Sequence, residues 1–285
     1  DTEGISRYSC VFRPADTPAL PLVVFFHGTG GEANNSFRYT HLREKAASFN
    51  LSGNPAKNGF VLVAVQGRNL HWPTIHADGS HHDYYFRDMS TNSKNPDVNY
   101  ADYLVDALVA EGIADPERIY VMGWSNGATF SQFYAIARHT TPTPRGNRVA
   151  AAAVFALADP FSNINHDQNP SCATPYPKTE VPLYLLGRSC DSLTACNAVQ
   201  EKNFDLPPGH SATDWVNVLR GTMGNSNVVL KLIDGRGREV NTCSSVCVKP
   251  TGALNHLLWP NGVNDRGGID WEPVMLQFLK EHPLK

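Results

Sequence analysis

The chain has 285 residues, of which 41% are hydrophobic and 18% are charged. That length and composition provide a sizeable hydrophobic core and predict one domain spanning residues 1–285. The formal net charge is −3 and there is no long basic run, so we expect no nucleic-acid partner. No apolar stretch approaches the roughly 20 residues that a membrane span needs, so we expect no membrane span.

Apolar runs alternate with amphipathic segments along the chain. In chain order the sequence predicts strand 22–26, helix 41–49, strand 60–65, helix 100–111, strand 119–122, helix 128–137, strands 149–157, 181–186 and 228–233, and helix 271–281. Such alternation is typical of an α/β fold, a mostly parallel sheet with helices on both faces. Two long irregular segments, 67–98 and 159–178, are expected to be functional loops at the carboxyl side of the sheet.

Six cysteines, at positions 10, 172, 190, 196, 243 and 247, form an even set that is typical of disulfides in a secreted protein. The chain starts at Asp1 without a visible signal peptide, which we interpret as a processed mature form or a trimmed chain. Local pairing of 190 with 196 and of 243 with 247 is favoured, leaving 10 with 172. A cross-link between the two later loops is the alternative.

Residues 123–127 read Gly-Trp-Ser-Asn-Gly and fit the G-x-S-x-G pattern of a nucleophilic serine. A predicted strand precedes them and a predicted helix follows, which is the context that the pattern requires and which argues against a chance match. Glycines flank the serine because side chains in so sharp a turn would clash with neighbouring backbone. Ser125 is therefore the predicted nucleophile.

A serine hydroxyl needs a base to accept its proton, and the base needs an acid to orient it. In a strand–serine–helix site of this kind the acid and then the base follow the serine along the chain. Asp191, after the predicted strand 181–186, is the predicted acid, and Asp159 is the alternative. His256 is the predicted base, in a loop before the last helix, because the only later histidine, His282, lies in the terminal tail.

Two backbone N–H groups are needed to stabilise the oxyanion that forms when a serine attacks an ester. One belongs to the residue after the nucleophile, Asn126, and the other is expected in the segment 27–31, where Thr29 is the predicted donor. That segment lacks the Lys-Ser/Thr ending of a phosphate loop, which argues against a nucleotide. Histidines 71, 76, 81 and 82 with Asp83 are interpreted as solvated loop residues. We expect no cofactor and no metal.

Three motifs carry a family resemblance: His-Gly-x-Gly-Gly at 27–31, Asp-Pro-x-Arg-Ile-Tyr-Val-x-Gly-x-Ser-Asn-Gly-Ala at 115–128, and His-x-x-Trp-Pro at 256–260. Together they resemble the secreted esterases that include polyhydroxybutyrate depolymerases and feruloyl esterases. The resemblance implies an α/β-hydrolase fold with a triad of Ser125, Asp191 and His256. The segment 187–192, Gly-Arg-Ser-Cys-Asp-Ser, adds a looser similarity to polyethylene-terephthalate hydrolases and cutinases.

These observations predict a monomeric serine esterase that cleaves an aliphatic polyester such as polyhydroxybutyrate or its oligomers. Feruloyl or acetyl esters on plant polysaccharide and an aromatic terephthalate polyester are alternative substrates, and a catalytically silent hydrolase fold used for binding is the non-enzymatic alternative. Trp124 and Trp259 flank the predicted nucleophile and base, so we expect them to bind substrate. Packing in the core is the alternative for both.

Overall fold

A computed structural model describes residues 6–14, 19–68, 72, 90–161, 176–207, 209–263 and 268–284. The strands are β1 (Ser9–Phe12), β2 (Leu20–Phe26), β3 (Val61–Val65), β4 (Ala114–Trp124), β5 (Ala151–Phe155), β6 (Leu183–Arg188), β7 (Val228–Ile233) and β8 (Glu239–Val240). The helices are α1 (Asn35–Tyr39), α2 (Leu42–Ser48), α3 (Pro96–Ala110), α4 (Asn126–Thr140), α5 (Ala198–Asn203), α6 (Ala212–Asn217) with a following π-helical turn (Val218–Thr222), α7 (Lys249–Leu257) and α8 (Glu272–Lys280).

Within these described ranges the strands form one sheet in the order β1-β3-β2-β4-β5-β6-β7-β8. The six strands from β2 to β7 run parallel, and the short edge strands β1 and β8 pair antiparallel. The chain moves from β2 to β3 in one direction and then returns to β4 on the other side of β2. Ligands of open α/β sheets bind at such a reversal, outside the carboxyl ends of the strands.

Two hydrophobic cores lie on the two faces of the sheet. Alternate residues of β2 face opposite cores: Leu22 and Val24 pack with α3, α4 and α6, whereas Val23 and Phe25 pack with α2 and α8. This alternation follows from the two-residue period of a strand, and burial on both faces explains why β2 is apolar throughout. The predicted α/β architecture with helices on both faces is confirmed.

The edge strands are elements that the sequence analysis did not predict. β1 has four residues and β8 has two, so neither provides the sustained alternation or apolar run that marks a strand. Both strands exist because they pair with β3 and β7, which is a tertiary effect. The central strands position the functional site, since Phe26 of β2 lies beside Gly123 of β4 in register.

Candidate active site

Ser125 sits between the last residue of β4 and the first residue of α4, with φ of 57° and ψ of −124°. This conformation is strained for a residue with a side chain, and such strain is found at nucleophile turns. The glycines on either side are required by close contacts. A Cβ atom on Gly127 would lie 2.1 Å from the carbonyl oxygen of Phe26, and one on Gly123 would lie 2.3 Å from the carbonyl oxygen of Gly127.

Gly127→Ala is therefore expected to lower the free energy of unfolding by about 3 kcal/mol or more, because the added methyl group meets rigid backbone. Gly221→Ala is the matched control, since a Cβ atom there meets nothing within 4 Å. The control is expected to leave stability unchanged or slightly raised. Urea denaturation followed by fluorescence measures both variants, and equal stability of the two would contradict the steric argument.

The structure brings the three predicted catalytic side chains into one chain of hydrogen bonds. Nε2 of His256 lies 2.7 Å from Oγ of Ser125, and Nδ1 of His256 lies 2.9 Å from Oδ2 and 3.2 Å from Oδ1 of Asp191. A carboxylate only accepts, so Nδ1 carries the proton and Nε2 is left to accept the serine hydroxyl. The arrangement can deprotonate Ser125 as it attacks an electrophile.

Asp191 is fully buried and its carboxylate is held by its own loop. Oδ1 accepts hydrogen bonds from the N–H groups of Leu193 and Thr194, and Oδ2 accepts one from the hydroxyl of Thr194. These donors compensate the burial of the charge and fix the carboxylate towards His256. Asp159, the alternative acid, instead accepts from Tyr176, whose hydroxyl pKa is raised by burial and by that neighbouring carboxylate.

His256 lies in the last turn of α7 and not in a loop, which corrects the sequence-based expectation. Pro250 and Gly252 obscure this helix in the sequence, because both residues are poor helix formers. Pro250 is tolerated because it falls in the first turn, where its missing N–H costs nothing. Gly252 is required because a Cβ atom would lie 2.7 Å from the backbone nitrogen of Ser192, so α7 packs directly on the loop of the acid.

Two disulfides, Cys190–Cys247 and Cys196–Cys243, join the loop of Asp191 to the segment that precedes α7. The predicted local pairing of 190 with 196 and of 243 with 247 is therefore wrong, and the alternative cross-link between the two later loops is correct. The two cysteines of each bridge are 57 and 47 residues apart, and closing such long stretches of chain stabilises the folded arrangement of the Asp191 loop against the segment before α7. Cys10 is a free cysteine, so the predicted pairing of Cys10 with Cys172 is wrong as well; Cys172 itself lies outside the described residues.

The segment 27–31 approaches the nucleophile closely. A Cβ atom on Gly28 would lie 3.3 Å from Cβ of Ser125, and Gly28 and Thr29 line the same cavity as Ser125 and His256. Asn126 is the first residue of α4, so its N–H has no acceptor within the helix. Thr29 and Ser125, the residue before Asn126, thus face one cavity.

His27 and Trp72 hold these two segments together. Nδ1 of His27 donates to the carbonyl of Gly28 at 2.7 Å, and Nε2 accepts the N–H of Gly67 at 3.0 Å. Trp72 donates its indole N–H to the carbonyl of His27 at 2.8 Å, and its backbone N–H and carbonyl bind the side-chain amide of Asn126 at 2.6 and 3.1 Å. Trp72 itself is fully buried, so it has no surface to offer a substrate.

No protein-family model and no curated protein sequence matches the chain. Solved structures do. A thermophilic esterase from the Planctomycetes species Thermogutta terrifontis gives a TM-score of 0.53 at 16% identity, over 98% of this chain and 89% of that one. A thermophilic and thermostable carboxylesterase cloned from a metagenomic library gives 0.54 at 13% identity, over 98% and 85%. A thermostable esterase gives 0.52 at 17% identity over 99% of this chain, which spans 61% of that structure's length.

The chain has the α/β-hydrolase fold. In this fold the reversal of strand order lies between β2 and β4, and the loops that follow those two strands carry the segment 27–31 and Ser125. The fold therefore accounts for the meeting of Gly28 and Ser125, which are far apart in the sequence.

The two tryptophans predicted to bind substrate, Trp124 and Trp259, differ in burial. Trp124 is half-buried and lines the cavity beside Ser125. Trp259 is fully buried, packs edge-on against Phe25 and Phe155, and donates its indole N–H to the carboxylate of Glu272 at 2.7 Å. Trp259 therefore has no surface to offer a substrate, and its expected role as a wall is corrected to core packing.

A cavity of about 430 Å³ lies over Ser125 in the described part of the chain. Its apolar rim comes from three exposed side chains, Tyr39 at 46%, Leu193 at 46% and Leu257 at 60% exposure. Ser36 also lines the cavity, and its buried hydroxyl has no hydrogen-bond partner. Apolar walls with few polar groups are typical of small-molecule sites.

The described residues contain one group with the composition of a metal site, formed by His41, Asp270 and Glu272. Nζ of Lys45 binds both carboxylates, at 2.8 and 2.7 Å, so a cation of the protein already compensates part of their charge. The histidines at 71, 76, 81 and 82 lie outside the described residues. In the described ranges no helix has the length and apolar character to cross a membrane.

Proposed function

We propose that this α/β-hydrolase is a secreted serine esterase that hydrolyses carboxylic ester bonds. The hydrogen-bonded series Asp191–His256–Ser125, which opens on a cavity lined by the segment 27–31, is the observation that carries the proposal. The fold similarity to several esterases supports the reaction type. The two disulfides of the described residues support an oxidising, extracellular location.

In the proposed mechanism Oγ of Ser125 attacks the ester carbonyl carbon while Nε2 of His256 takes the hydroxyl proton. Asp191 keeps the proton of His256 on Nδ1 and stabilises the imidazolium. The N–H groups of Asn126 and Thr29 bind the tetrahedral oxyanion. His256 then protonates the departing alcohol, and a water molecule, deprotonated by the same nitrogen, releases the acid and restores Ser125.

An aliphatic polyester such as polyhydroxybutyrate, or its oligomers, is the proposed substrate. The apolar rim formed by Tyr39, Leu193 and Leu257 suits an aliphatic chain. The unpaired hydroxyl of Ser36 suits a substrate with further ester carbonyls beyond the scissile one, because a buried hydroxyl gains a hydrogen bond when such a carbonyl binds. The motifs at 27–31, 115–128 and 256–260, which resemble those of the esterase group that includes polyhydroxybutyrate depolymerases, support the same choice.

Ser36→Ala is expected to raise KM for a hydroxybutyrate trimer about fivefold to tenfold, the equivalent of one neutral hydrogen bond. For p-nitrophenyl butyrate, which has no second ester carbonyl, KM is expected to stay within twofold. The comparison of the two substrates on one variant cancels any general effect on folding. An equal change in KM for both would contradict a role for Ser36 in recognising the extra carbonyl.

A substrate panel tests the proposed function as a whole. The protein is compared with Ser125→Ala on polyhydroxybutyrate, a terephthalate polyester, methyl ferulate and a p-nitrophenyl ester, with covalent labelling by a fluorophosphonate probe in parallel. We expect labelling of the wild type alone, and hydrolysis of polyhydroxybutyrate ahead of the two aromatic substrates. A wild type that neither labels nor hydrolyses any ester would identify a silent fold, and a preference for ferulate or terephthalate would overturn the aliphatic assignment.

A further inference from the structure

Trp124 contacts both halves of the catalytic pair. It is the last residue of β4, directly before Ser125, and its indole N–H donates a hydrogen bond to the backbone carbonyl of His256 at 3.0 Å. One side chain thus links the backbone that carries the nucleophile to the backbone that carries the base. This contact is separate from the surface that Trp124 presents to the cavity.

The hydrogen bond falls at a position where the helix itself offers no partner. His256 lies in the last turn of α7, and the final four carbonyls of a helix lack intrahelical donors. Trp124 serves the carbonyl of His256, and Arg188 serves that of Leu258 through its guanidinium at 2.9 Å. The end of α7 is therefore held by two side chains from the carboxyl ends of the central strands β4 and β6.

The indole of Trp124 packs against a buried tryptophan, Trp259. Its ring centroid lies 6.0 Å from that of Trp259, which is fully buried and hydrogen-bonded to Glu272. Glu272 is fully buried as well, and it is held by Nζ of Lys45 and by the backbone N–H of His41. Because each member of this series is packed and bonded, the position of the Trp124 ring is well determined.

We propose that Trp124 is a positioning residue for the catalytic histidine, acting through the His256 carbonyl. The inference rests on the proposed esterase function. The 2.7 Å contact between His256 and Ser125 depends on where α7 ends, and misplacement of a catalytic group by about 1 Å can cost on the order of a hundredfold in rate. A residue that fixes the base should affect the chemical step, whereas a substrate wall should affect binding.

The test replaces Trp124 by 3-benzothienylalanine, which keeps the shape of indole but has sulfur in place of the N–H. Trp271 is the matched control site, since its buried indole N–H also donates to a backbone carbonyl, that of Gly237 at 2.6 Å. At position 124 we expect kcat for p-nitrophenyl butyrate to fall about tenfold, with KM within twofold. The same replacement at 271 should leave kcat within twofold.

Two outcomes of that assay would overturn the proposal: a raised KM with unchanged kcat, which identifies a substrate wall, or unchanged values of both constants. Trp124→Phe is the second variant, and it should lower kcat to a similar degree because it also lacks the donor. Thermal unfolding of each protein identifies any loss of folding, and kcat is read only from the folded fraction.

A readout that does not need turnover separates this inference from the proposed function. The Nδ1–H proton of His256 is hydrogen-bonded to Asp191 and is followed by its downfield proton NMR signal. The rate at which this proton exchanges with solvent is measured in each protein. We expect exchange at least fivefold faster after replacement at 124, and no change after replacement at 271. Equal exchange rates would overturn the role of Trp124. Failure of the wild type to hydrolyse or label would overturn only the esterase function.

Discussion

Ser125→Ala is expected to reduce ester hydrolysis by at least about a thousandfold while the protein stays folded. The hydroxyl is the proposed nucleophile, so its removal leaves only the stabilisation that the oxyanion donors give to attack by water. The folded state should tolerate the change, because the one hydrogen bond of the Ser125 side chain in the described structure is to Nε2 of His256. Hydrolysis of p-nitrophenyl butyrate and urea denaturation measure the two effects.

Ser131→Ala is the matched control for this experiment. Ser131 lies on α4, the helix that begins directly after Ser125. Its buried hydroxyl donates to the carbonyls of Met122 and Gly127 and does not line the cavity. This variant should lose about 1 kcal/mol of stability and keep its rate within a few fold, the reverse of the pattern expected for Ser125. A rate for Ser125→Ala within tenfold of the wild type would contradict the mechanism.

The order of the three candidate catalytic residues along the chain predicts them because it follows from the order of the strands in the sheet. In the sheet β4 is followed by β5, β6 and β7, and these four strands run parallel. The segments that follow β6 and β7 therefore emerge at the same edge of the sheet as the carboxyl end of β4, where Ser125 lies. Asp191 and His256 belong to those segments and are brought to the serine. The order of serine, acid and base along the chain therefore predicts the site, provided that the strands are apolar enough to be recognised in the sequence.

The disulfide pairing depends on which loops are neighbours in the fold. The spacing of the cysteines along the chain does not contain that information. β6 and β7 are adjacent parallel strands, so the loop with Cys190 and Cys196 emerges beside the segment with Cys243 and Cys247. A hydrogen bond of 2.8 Å from the N–H of Ser244 to the carbonyl of Ser189 fixes their contact. Short separation along the chain favoured the wrong pairs because it ignores this lateral contact.

The tryptophans illustrate a second limit of sequence reasoning. Trp72 and Trp259 both follow predicted strands near the site, and residue type alone gives no reason to separate them from Trp124. The structure separates them by burial, since Trp72 and Trp259 are fully buried whereas Trp124 is half-buried and lines the cavity. The burial of a tryptophan is set by its tertiary neighbours, so it becomes visible only once the chain is folded.

Asp191→Asn is expected to lower kcat by about 10⁴-fold, because an amide can donate to Nδ1 of His256 and so favours the tautomer with the proton on Nε2. In that tautomer Nε2 cannot accept the proton of Ser125, even at the 2.7 Å distance of the wild type. Folding should survive, since the remaining amide oxygen can accept the N–H groups of Leu193 and Thr194 as Oδ1 does now. Steady-state kinetics and the rate of fluorophosphonate labelling measure the loss.

Asp159→Asn is the control, because Asp159 is another buried carboxylate after a central strand and was the alternative acid. Oδ1 accepts the N–H of Phe161 at 2.7 Å and Oδ2 accepts the hydroxyl of Tyr176 at 2.6 Å. In the amide the oxygen can still accept from Phe161, and the NH2 group can donate to the oxygen of Tyr176. We expect kcat within about tenfold of the wild type for this variant. The opposite ranking of the two variants would assign the acid to Asp159. Because both substitutions remove one buried charge, a difference of several orders of magnitude between them reports the contact with His256 and not the burial of a carboxylate.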